Sequence, residues 1–139
     1  MLSRELAIRL RDAGLRWHPA RGDAFVVPGR DLDDHVFVLS DMVVELVDVP
    51  GGTSILAFNG TTEWALDRLE AGSAVWVPSE AQLRGLLGDA FVGLERVSGP
   101  PAAYAVTVQV ASGRARHLDV AAEPAYARAL LAVLREAAG

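Results

Sequence analysis

The side chains that could hold a metal or move a proton are scattered, and their spacing limits the chemistry open to them. The densest group is Asp31, Asp33, Asp34 and His35. Carboxylates suit Ca²⁺ or Mg²⁺ and imidazole suits Zn²⁺. Counted from Asp31 as a calcium loop, the sixth position is Val36 where glycine is needed, and the twelfth is Met42 where glutamate is needed. The run is therefore expected to be a solvated acidic loop, and no metal is expected. His18, His35 and His117 sit on separate segments with no H-x-x-x-H or H-E-x-x-H spacing. His117 and Asp119, two apart on one strand, would share a face and could act as an acid–base pair, but no nucleophile is placed beside them. No serine lies in a G-x-S-x-G elbow.

Two residue types are missing. Without cysteine there are no thiolate nucleophiles and no disulfides. Without lysine, all thirteen basic residues being arginine, there is no Schiff-base chemistry and no phosphate loop of the G-x-x-x-x-G-K-[ST] kind. Arginine for lysine, with many Ala, Gly and Val, is what a GC-rich bacterial genome produces. No cofactor and no binding of ATP or GTP is expected. Gly51-Gly52-Thr53 is too short to cradle a phosphate and reads as a hairpin turn.

The elements that would position these groups belong to a chain of 139 residues, expected to form a single α+β domain over 1–139. Its 51% hydrophobic and 22% charged residues are ordinary for a globular protein. No apolar run approaches the ~18–20 residues of a membrane span, so no membrane insertion is expected. The N-terminal MLSRELAIRLRDAG mixes charges with apolar residues at helical spacing and does not read as a secretory signal, which makes the cytoplasm the expected location. A net charge of −5 argues against nucleic acid as a partner, since phosphates need a basic face.

Ser3 caps a helix over Arg4–Ala13, stopped by Gly14. Extended segments follow at Leu15–His18, Ala24–Val27, Val36–Ser40, Met42–Val49 and Ser54–Phe58, with connections short enough for an antiparallel meander. Thr61 or Thr62 opens a short helix through Leu69, closed by Gly72, and Ala74–Val77 is a strand. Ser79 and Gln82 form a capping box for a helix that turns Leu83, Leu86 and Leu87 inward. Phe91–Val97 is ambiguous. In the hairpin that follows, Tyr104, Val106, Val108 and Val110 alternate with polar or small residues. Side-chain parity favours a three-residue turn, Ser112 to Arg114, which sets Val108 against Leu118 and Val106 against Val120. His117 and Asp119 then face water. A last helix starts near Pro124 and turns Tyr126, Leu130, Val133 and Leu134 inward. The sum is an antiparallel sheet of about six to eight strands, with three or four helices mostly on one face.

The pieces ELAIRLRDAGLRW, GDAFVVPGRD, VFVLSDM, FNGTTEWALD and VWVPSEAQLRGLL resemble a group of small uncharacterised actinobacterial proteins and cover roughly the first 90 residues. The W-x-P-x-x-x-Q-L piece, Trp76 to Leu83, is also similar to phage-associated hypothetical proteins. Some of the actinobacterial group carry the label "pilus assembly protein", which implies kinship with a MinD/ParA-type ATPase. That enzyme needs a P-loop lysine, and this chain has none.

The expected function is a non-catalytic binding or interaction module, with a protein partner or a second copy of the chain as counterpart. The alternative is a small enzyme or small-molecule-binding domain whose pocket is lined by Trp64, Trp76, Trp17 and a carboxylate such as Glu63. Large aromatics mostly pack, yet tryptophan is also enriched at recognition hot spots.

Overall fold

The computed structural model describes residues 1–28, 36–39, 43–48, 54–59, 68–70 and 74–139, the stretches 43–48, 54–59 and 68–70 by their backbone alone. The acidic loop Asp31–His35, the Gly51-Gly52 turn, Glu63 and Trp64 lie outside the described residues. The chain gathers into two compact units. One joins Met1–Arg16 to Pro78–Gly139, and the other is Trp17–Val77.

In the first unit, Ser3 accepts the Leu6 N–H and opens α1, Arg4–Asp12, which buries Leu6, Ala7 and Leu10 and leaves Arg9 and Arg11 outside. The capping box forms as expected. Ser79 Oγ accepts from the Gln82 N–H, and Gln82 Oε1 accepts from the Ser79 N–H, starting α2, Glu80–Leu87. This helix buries Leu83 and Leu87, but Leu86 points to solvent, against the expectation for it. After a short 3-10 turn at Gly88–Ala90 come β7, Phe91–Val97, β8, Ala103–Val110, and β9, Gly113–Asp119, forming one antiparallel sheet in that order.

The last helix, α3, Ala122–Ala138, holds Pro124 in its first turn, where the missing N–H needs no partner. It packs on β8 and β9, on α1 and on α2. That is why Ala125, Tyr126, Ala127, Ala129, Leu130 and Leu131 are all buried, a wider arc than one amphipathic stripe.

The second unit holds two further three-stranded antiparallel sheets. In one, β1, Ala24–Val26, lies between β2, Phe37–Val38, and β6, Val75–Val77. In the other, β4, Ser54–Asn59, lies between β3, Val43–Asp48, and β5, Arg68–Glu70. The short helix expected to run through Leu69 is corrected at its end: Arg68, Leu69 and Glu70 form a strand opposite Ala57, Leu56 and Ile55. Residues 61–67 lie outside the described residues. The extended segment expected at Leu15–His18 joins no sheet. The protein is thus α+β. Its nine described strands pair as three sheets of three, where alternation along the sequence suggested one sheet of about six to eight.

Candidate functional site

The two faces of the sheet β7–β8–β9 differ sharply. The register pairs Val110 with Gly113, Val108 with Ala115, Val106 with His117 and Tyr104 with Asp119. The hairpin therefore turns through Ala111 and Ser112, and not through the three residues Ser112–Arg114. This reverses β9. His117 and Asp119 lie on the inner face, while Leu118 and Val120 are 47% and 65% exposed. The cause is polar. The Ser112 N–H donates to Glu136 Oε1 at 2.8 Å and its hydroxyl to Oε2 at 3.0 Å, so the turn is tied to the last turns of α3. At the other end of β9, Arg128 Nε of α3 reaches Asp119 Oδ2 at 2.8 Å. Gly113, at φ +133°, supplies a backbone conformation that other residues rarely adopt.

The inner face is closed by α3. Val106 and Val108 are fully buried, and the Phe91 ring lies 5.8 Å from that of Tyr126. His117 Nε2 is shut off from solvent and has no hydrogen-bond partner among the described residues. Burial pushes the imidazole pKa below its ordinary 6.5. The expected solvent-facing acid–base pair is corrected: the Asp119 carboxylate is engaged by Arg128 and by the Val120 N–H, and His117 Nε2 is shielded from solvent.

The outer face carries Arg114, Arg116 and Leu118 of β9, Thr107 and Gln109 of β8, and Glu95 and Gly93 of β7. A bulge between Phe91 and Gly93 adds Val92, which is 44% exposed. Val92, Gly93, Leu94, Glu95, Thr107, Arg114 and Arg116 line a shallow open hollow of about 560 Å³. Arg116 forms an ion pair with Glu95 across the strands. Arg114 Nε donates to the neutral Gln109 Oε1 at 3.2 Å. Alternation in the run RARHLD already puts Arg114, Arg116 and Leu118 on one face, but which face was water was not legible from it.

The tryptophan candidates belong to the second unit. Trp17 is half-buried. Its Nε1–H donates to Asp23 Oδ2 at 2.9 Å, and its ring lies 5.4 Å from Phe25, which in turn stacks on Phe37 at 5.4 Å. Asp23 also accepts the Ala20 N–H at 3.0 Å, so this buried carboxylate binds two donors of its own loop. Trp76 stands opposite Phe25 in the register, half-buried, with a solvent-shielded Nε1–H that has no partner among the described residues. Trp17 thus anchors a packed aromatic row. His18 is exposed, as a turn histidine should be. Among the described residues, no three His, Asp or Glu side chains gather as a group able to hold a metal, and no helix is long and apolar enough to cross a membrane.

No protein-family model, curated protein or solved structure matches the chain.

Proposed function

We propose that the chain is a non-catalytic binding module that meets a protein partner through the outer face of β7–β8–β9. The observation that carries this reading is the contrast between the two faces of that sheet. One is covered by α3, and the other leaves Leu118 exposed beside a hollow lined in part by the exposed Val92, Leu118 sharing the outer face with Arg114 and Arg116. Antiparallel sheets tolerate one wet face, but that face is usually polar, and apolar side chains rimmed by charge mark interaction surfaces. A protein suits the reading better than nucleic acid because of the net charge of −5. The cytoplasmic setting expected from the sequence is kept as part of the same proposal.

The test is photo-crosslinking in native host cells, with a photoreactive residue at Leu118 or, as control, at Arg11 on the exposed side of α1. The reading expects a discrete adduct from position 118 that disappears when Val92→Asp is added, with the melting temperature unchanged. Equal adducts from both positions, or none from 118, would overturn it.

A further inference from the structure

The hollow is lined in part by Gly93, in the interior of β7, where glycine has no local reason to be. Glycine in a strand lowers stability relative to residues with a side chain, and it often marks a bulge or a place where another backbone comes close. The bulge at Phe91/Gly93 does not demand it, because Gly93 is not among the glycines with positive φ. Packing does not demand it either: a Cβ at this position would meet nothing within 4 Å. Among the described residues the space above Gly93 is left open, beside Thr107, in a hollow that Val92, Arg114 and Arg116 also line.

Charge sets what can fill it. Arg116 is balanced by Glu95, whereas among the described residues Arg114 is held by the neutral amide of Gln109. The wall of the hollow therefore carries one more positive than negative charge, in a chain whose net charge is −5. A second copy would bring the same arginines against these, so β9 set against β9 is disfavoured by repulsion. The remaining side chains, Val92 and Thr107, are β-branched and suit a β-like segment.

Building on the docking role proposed above, we infer that the occupant is an extended acidic peptide segment of a partner protein. Its backbone crosses Gly93, an apolar side chain lies against Val92, and a carboxylate rests on the Arg114 guanidinium, the pairing that arginine's planar fork favours.

The experiment titrates the full-length ¹⁵N-labelled chain with synthetic peptides of about eight residues, the length of a long strand. The three peptides alternate Val with Glu, Val with Lys, or Val with Thr. The Val-Glu peptide should shift the amides of Gly93, Thr107, Arg114 and Arg116 and bind at least about tenfold tighter than the Val-Lys peptide, as charge complementarity requires. Arg114→Glu should reverse that order. Gly93→Val should keep or raise the melting temperature and abolish the shifts. Equal binding of all three peptides at these amides would overturn the acidic specificity while leaving the docking face intact. Shifts that survive Gly93→Val would overturn the placement over Gly93. No shifts with any peptide, or a dimer through β9, would overturn the inference altogether, and the crosslinking at Leu118 then judges the docking role separately.

Discussion

Val106 and His117 stand directly opposite each other across the β8–β9 ladder, so the imidazole shares the helix-covered face with a fully buried valine. The same register turns Leu118 outward and makes Arg114, Arg116 and Leu118 the lining and rim of the open face. One pairing thus decides both where the titratable group is hidden and what the candidate surface displays.

The partly buried imidazole makes stability depend on pH with a definite sign. Burial holds the folded-state pKa of His117 below the ordinary 6.5, so the unfolded chain binds more protons in the interval between the two values. The stability associated with neutral His117 is fully present above pH 6.5 and falls as the pH drops toward the folded pKa. Asp119, on the same face, is occupied by Arg128 and does not offer the imidazolium an unshared counter-charge. Urea unfolding from pH 8 to pH 5 should show this decline, and His117→Leu should flatten that part of it while leaving the sheet folded. An unchanged pH profile in His117→Leu would show that His117 is not its source.

Burial orders two leucines oppositely to their surroundings in the sequence. Leu10→Ala, at a fully buried site between α1 and its neighbours, should cost about 2–5 kcal/mol. Leu118→Ala, on the open face, should stay within about 0.5 kcal/mol. Chemical denaturation of both variants measures the pair, and a large loss for Leu118→Ala would mean that the outer face is covered.

Asp23 is buried in the loop before β1 and satisfies two donors at once, the Trp17 indole and the Ala20 amide. Asp23→Ala should cost about 1–3 kcal/mol, because it leaves both donors without their acceptor in a shielded place. Asp23→Asn keeps one carbonyl oxygen and should lose less. Thermal unfolding of the two variants gives the order.

The start of α2 rests on a reciprocal pair of bonds between Ser79 and Gln82. Ser79→Ala should lower stability by about 0.5–2 kcal/mol, and Ser79→Asp, which keeps a capping acceptor, should recover most of it. Denaturant midpoints at equal slope are the measurement.

The sequence by itself determined what depends on a few neighbouring residues. The caps at Ser3 and Ser79, Pro124 in the first turn of α3, and the strand alternation around Trp76 and Val106 were all legible, because each is settled within about one turn or one pleat. The tertiary structure decided what depends on distant partners. The β8–β9 register answers to Ser112 and Glu136, which lie 24 residues apart, and to Asp119 and Arg128. Apolar parity counted only Leu118 and Val120 and missed these polar ties. Arg68–Glu70 became a strand because β4 offered it a ladder, which no local pattern announces. Leu86 faces water because α2 packs through Leu83 and Leu87 alone. The candidate face followed the same rule: Arg114 and Arg116 could be read as neighbours on one side of a strand, but only the position of α3 settled that theirs is the side left open.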